Sequence, residues 1–150
     1  PVDPNALVRQ TLERTLLPDT VRVELALTPD LPLVRADANK MHQVFINLIN
    51  NAAQAMPEGG QLTIATDQQN GCVRFSFSDT GCGIPEENME RIFEPLFTTK
   101  AKGIGLGLPL VRMLVEAHHG QIQVASRVGE GTRFTVCLPS QDPNKEKLNP

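Results

Sequence analysis

The chain has 150 residues, 40% hydrophobic and 21% charged, with a net charge of −3. A chain of this size supports one core that takes roughly 70% of the unfolded surface out of water, and a second independent core is not expected. The acidic balance excludes a general electrostatic footprint for nucleic acid or anionic lipid, so neither a nucleic-acid partner nor direct membrane contact is expected. Cys72, Cys82 and Cys137 are an odd count at spacings that fit no zinc or disulfide framework, which points to reduced, packing cysteines in a cytoplasmic protein. Apolar stretches all fall short of the ~20 residues a bilayer span needs, and no signal-peptide layout opens the chain; a membrane anchor would have to lie upstream.

Asp3-Pro4 reads as a helix start, a capping carboxylate before proline at the first helical position, and Leu7, Val8, Leu12 and Leu16 follow at near-helical spacing up to "LLPDT". Val21, Val23, Leu25 and Leu27 then alternate with other residues as in a half-buried strand. A long helix is predicted over 37–56. "QLTIAT" and "CVRFSFS" are joined through Asn70-Gly71, a strong hairpin signal, and "GQIQVAS" and "TRFTVCL" repeat the arrangement across "RVGEG". Shorter helices are predicted near 86–94 and over 107–119, the latter stopped by Gly120. The polar "SQDPNKEKLNP" reads as a tail or linker over 140–150, following a domain over 1–139. These elements predict an α+β two-layer sandwich: a mixed, mostly antiparallel sheet of about five strands covered on one face by three helices.

The segment "FINLINNAAQAM" carries Asn47, Asn50, Asn51 and Gln54 within an arc of roughly 100° on a helix. Val44, Leu48, Ala52 and Ala55 flank the arc on one side, and Ile46, Ile49 and Ala53 on the other. A solvated face would carry Lys, Glu and Arg, which are better helix formers than Asn. Neutral amides instead suit either a pocket that coordinates a hard cation and meets an anion, or a satisfied buried amide network.

Three glycine-bearing stretches follow. "DTGCGI" places Asp79 at a strand end before Gly81 and Gly83, which is either a fixed acceptor beside a turn open to a planar ligand or an ordinary turn. "KGIGLGL" alternates Gly103, Gly105 and Gly107 at a helix entrance, with Lys100 and Lys102 nearby. That run is either a phosphate site at a helix N-terminus or a flexible linker. It matches neither the Walker P-loop nor the dinucleotide fingerprint. "GEGTRF" is explained by a hairpin turn alone.

Taken in order, "HQVFINLINNAAQAM", "DTGCGI", "FEPLFTT", "GIGLGL" and "GEGTRF" resemble the five boxes of the ATP-binding catalytic domain of bacterial sensor histidine kinases, the Bergerat-type fold shared with gyrase, MutL and the ninety-kilodalton heat-shock chaperone. The resemblance runs from about Val2 to Pro139, and "NAAQAMPEGG" with the short "FTTKAKGIGLGL" join is most similar to the nitrogen-regulation subgroup. It implies two ligands, ATP and Mg²⁺, with Asn51 as metal ligand and Asn47 and Gln54 on the same wall. Asp79 would accept from the adenine amine, Gly81, Gly83 and Ile84 would bound the base, and Thr132 would assist there. Thr98, Lys100, Gly103, Gly105, Leu106, Gly107 and Leu108 would line the phosphate side. Asn47, Asn51 and Lys100 are the implied catalytic set, and Phe93 and Phe97 are either lid anchors or plain core aromatics.

In the gyrase-like members the residue one turn before the metal-binding Asn is a water-activating glutamate; here it is Asn47, and a neutral amide is no general base near pH 7. Slow hydrolysis is therefore expected, with the γ-phosphoryl group left for a histidine acceptor. Two departures stand out: Ile104 replaces a common Thr, and Gln54 a common Lys or Arg. No histidine occupies an acceptor motif; His42 lies in the amide helix, and His118 and His119 read as surface residues at a helix end. The resemblance thus implies a dimerisation and phosphoacceptor helical domain upstream of Pro1, an indirect response-regulator partner, a monomeric domain and a homodimeric whole. An anti-sigma-type serine kinase and a non-transferring nucleotide sensor are the alternatives.

Overall fold

The computed structural model describes residues 1–94 and 107–141. In chain order the elements are α1 (Pro4–Glu13), β1 (Val21–Leu27), α2 (Ala38–Gln54), β2 (Gly60–Gln69), β3 (Cys72–Asp79), a single 3₁₀ turn (Glu86–Asn88), α3 (Gly107–Ala117), β4 (Gln121–Arg127) and β5 (Gly131–Pro139). One five-stranded sheet has the order β1-β2-β3-β5-β4. β1 and β2 run parallel because α2 carries the chain between them, and every other pairing is antiparallel.

Local chemistry explains most boundaries. The Asp3 carboxylate accepts from the Asn5 and Ala6 amides ahead of Pro4, and Asp37 caps α2 through the Lys40 amide. Asn70 and Gly71 both take positive φ, 53° and 80°, as the tight turn between β2 and β3 requires. α2 buries Met41, Val44, Phe45, Leu48, Ile49 and Ala52 against the sheet. Phe45 sits 4.9 and 5.3 Å, centroid to centroid, from Phe75 and Phe77 of β3. Val34, fully buried, bridges Val2 near the start and Ser140 near the end. The Ser140 and Gln141 amides donate to the Gly71 and Leu33 carbonyls.

Four expectations are corrected. No α-helix forms over 86–94: a 3₁₀ turn is followed by further i→i+3 bonds, Arg91 to Asn88 and Glu94 to Arg91. Ile92 is the buried residue there and Phe93 is half-buried, too few apolar positions to offset an α-helical nucleus. α1 stops at Glu13, which leaves Leu16 97% exposed rather than on a helical stripe. On β1, an edge strand, Val21 is buried but Leu25 is exposed. Cys82 is exposed and does not pack, whereas burial pushes the Cys137 thiol up.

Candidate functional site

α2 determines what its amides can do. Its buried side centres on Phe45 and Ala52, so Asn50 and Gln54 point directly away and are exposed. Asn51, on the shoulder, is half-buried, and Asn47, which points as far from the buried side as Asn50 does, is half-buried beside the start of α3. The expected four-amide groove therefore narrows to two, with Gln54 on its outer edge. A Cβ built on Gly107 would lie 3.6 Å from the Asn47 Oδ1, so the first turn of α3 opens beside this amide. That brings the positive end of an eleven-residue helix to an uncharged hydrogen-bonding group.

At the other end of α2 the β3 terminus closes in. Asp79, 8% exposed, is held by two backbone donors to its Oδ1: Gly81 at 2.8 Å and Thr132 at 3.3 Å. These two amides fix the orientation of the carboxylate. The "DTGCGI" loop is joined to α2 through the Cys82 amide on the Ala55 carbonyl, 3.1 Å. It is joined to the β4–β5 turn through the Gly129 amide on the Cys82 carbonyl, 2.8 Å, and the Ile84 amide on the Ser126 Oγ, 2.7 Å. Ser126 Oγ also lies 2.8 Å from the Thr132 hydroxyl. Two glycines make this approach possible. Gly83 has φ +79° and no room for a side chain against the Arg127 carbonyl, and Gly131 has φ +117° with the Asp79 carbonyl where a Cβ would stand.

Asp79, Gly81, Gly83, Ile84 and Thr132 thus form one cluster, and Asn47, Asn51, Gly107 and half-buried Leu108 lie along α2 and α3. Ala55, which contacts the first cluster, lies two turns from Asn47, about 12 Å along the helix. Thr98, Lys100, Gly103, Gly105, Leu106 and Phe97 fall outside the described residues. Phe93 packs on the edge of the core with the Arg112 guanidinium 5.5 Å above its ring. Sequence reasoning missed Ser126 and Gly131, which both serve the Asp79 end.

The histidines hold elements together. The Thr11 hydroxyl donates to the Leu7 carbonyl, 2.7 Å, leaving its oxygen to accept from His42 Nδ1–H, also 2.7 Å. Burial, and then the charge of Arg14, push the His42 pKa down, keeping the ring neutral. His118 is half-buried and joins α3 to the start of α2: its Nε2 accepts from the Asp37 amide at 3.1 Å, and its Nδ1 lies 2.8 Å from the Leu114 carbonyl.

The two-layer fold thus sets a fixed carboxylate at one end of α2 and half-buried amides, one of them beside the start of α3, further along it. The chain belongs to the family described as histidine kinase-, DNA gyrase B- and HSP90-like ATPases, whose profile matches residues 36–142. It is 41% identical to sensor histidine kinase ZraS of Escherichia coli O157:H7 over 92% of this chain and 31% of that protein. It is 39% identical to sporulation kinase E of Bacillus subtilis over 86% of this chain and 18% of the relative. The chain therefore spans less than a third of these curated relatives. Among solved structures, the mycobacterial sensor histidine kinase MprB superposes with a TM-score of 0.81 at 27% identity, covering 93% of this chain and 96% of that one. Full-length ShkA in complex with AMPPNP gives 0.82 at 32%, over 93% of this chain and 30% of that one. No helix among the described residues is long and apolar enough to cross a membrane.

Proposed function

We propose that this chain is the catalytic domain of a sensor histidine kinase: it binds Mg-ATP along α2 and presents the γ-phosphoryl group to a histidine on a separate helical domain. The observation that carries this reading is Asn47, an amide with no capacity as a base, lying beside the first turn of α3. Asp79 accepts from the adenine amine and so disfavours guanine, which presents a carbonyl there. Gly81, Gly83, Ile84 and Thr132 enclose the base, and Gly107 and Leu108 face the phosphates together with Thr98, Lys100, Gly103, Gly105 and Leu106. The AMPPNP complex of ShkA supports an adenine nucleotide as the ligand.

The donor set suits Mg²⁺ carried in by the nucleotide. Among the described residues no group of three or more His, Cys, Asp or Glu side chains converges. Asn51 would supply one neutral oxygen to the ion. When bound, the ion withdraws charge from the phosphates. Asn47 and Asn51 position the triphosphate, and the acceptor imidazole attacks phosphorus through its own lone pair, displacing ADP as the N–P bond forms and the O–P bond breaks. The partners in this reading are the domain's own dimerisation and phosphoacceptor helices and, through them, a response regulator, in a cytoplasmic and homodimeric kinase. "NAAQAMPEGG" and the short join after the Phe93 box favour the nitrogen-regulation subgroup.

The test is incubation with Mg-ATP labelled at the γ-phosphate and a histidine-bearing helical fragment. An acid-labile phosphoprotein is expected; an acid-stable phosphoserine on a protein acceptor would replace this reading with that of a serine kinase.

A further inference from the structure

A cavity of about 570 Å³ opens on the α1 side of Asn47, lined by Arg14, His42, Gln43, Ile46 and Gly107 among others. It shares Asn47 and the start of α3 with the nucleotide site, then continues along α2 toward the end of α1. Arg14 is the one formally charged residue lining it among the described residues. Gln43 lies one turn before Asn47, about 6 Å along the axis.

Arg14 has a fixed backbone. It is the C-cap of α1, its amide bonded to the Thr11 and Leu12 carbonyls, and Thr11 is itself tied to His42 of α2. Arg14 lines the cavity together with His42, Gln43 and Asn47. None of the ion pairs among the described residues includes Arg14; the cations of Arg74, Arg91, Arg112 and Arg127 each meet a carboxylate. The position Gln54 occupies on the nucleotide wall is uncharged. An anionic group reaching past Asn47 would therefore meet a guanidinium that is in no ion pair among the described residues, in a cavity that also reaches the start of α3, where a helix N-terminus favours negative charge.

We infer that Arg14 contacts the terminal phosphate of the bound nucleotide and makes the site prefer a triphosphate to a diphosphate. This rests on the nucleotide reading above. The α- and β-phosphates stay with Asn51 and α3, and only the γ-group extends into the cavity. A guanidinium suits that group because it offers two parallel N–H donors to phosphate oxygens.

Calorimetric titration of the whole 150-residue chain with Mg-AMPPNP and with Mg-ADP tests this. Arg14→Gln is expected to weaken the triphosphate analogue about tenfold, as for loss of a charge-assisted contact, with Mg-ADP affinity almost unchanged. Arg14→Lys should recover part of the difference, and raised salt should narrow it. Equal losses for both nucleotides, or no loss for either, would overturn the assignment while leaving the nucleotide site intact. Failure of the unmodified chain to bind either nucleotide would instead overturn the reading beneath it.

Discussion

The two ends of α2 are built on opposite principles. At the Asp79 end, backbone meets backbone: a carboxylate fixed by two amides, a loop joined to α2 and to the β4–β5 turn, and glycines set where no side chain fits. At the Asn47 end, a half-buried amide and an exposed arginine line an open cavity beside a helix terminus. The difference teaches which part of a ligand can be met by a preformed surface. A rigid base with a fixed donor pattern rewards pre-organisation, whereas a phosphate chain that must be handed on calls for charge and adjustable side chains.

That contrast is broken most severely at Gly131. Gly131→Ala forces a Cβ onto the Asp79 carbonyl at φ +117°, and should destabilise the fold by about 3 kcal/mol or more while abolishing adenine binding. Gly129→Ala is its control. Gly129 also has positive φ, at +83°, but nothing lies within 4 Å of its Cβ position, so a loss of only about 1 kcal/mol is expected in thermal or denaturant melts. Similar losses at the two positions would mean that the close approach to Asp79 contributes little.

Next in size, Asp79→Asn exchanges an acceptor-only group for one that also donates. Adenine nucleotide affinity should fall about tenfold to a hundredfold, with ATP and GTP becoming more alike in competition titrations. Equal affinity of the unmodified chain for the two nucleotides would remove Asp79 from its role. Asn51→Ala should act at the other end, weakening Mg²⁺-dependent ATP binding about tenfold without shifting the melting curve, because the side chain is only half-buried. An unchanged titration would place the metal elsewhere.

The smallest effect lies beneath the cavity. His42 is depressed in the folded chain, first by burial and then by Arg14, from an ordinary value of 6.5. The folded state therefore binds fewer protons than the unfolded one, so this contribution is complete above about pH 6.5 and is lost as pH falls toward the lowered folded value. Melts at pH 7.5 and 5.5 should show a larger acid loss for the unmodified chain than for His42→Gln; equal losses would mean that the ring carries its charge without penalty.

Much of this was legible in the residues because it is local. The Asp3 cap, the Asn70-Gly71 turn, the buried stripe of α2 and Asp79 at a strand end all follow from spacing within one element. What escaped depends on contacts remote in sequence. Ser126 is an ordinary polar residue until the Ile84 amide, 42 positions away, reaches it. His118 acquires its role only when α3 brings it to the Asp37 amide across 81 positions. The segment after Pro85 had helical spacing but too little apolar surface to hold a helix, and the amide stripe looked four residues wide because an arc on a wheel does not show which side the sheet covers. The Thr98 to Leu106 part of the expected site lies outside the described residues.

In the proposed reading the chain holds a magnesium triphosphate beside Asn47, an amide that cannot activate water against it. This is tested most directly by following ADP formation from bound ATP in the purified chain, alone and with a histidine-bearing helical fragment. Persistent ATP is expected in the first case and ADP matched by phosphohistidine in the second. Rapid ADP release by the chain alone would contradict it.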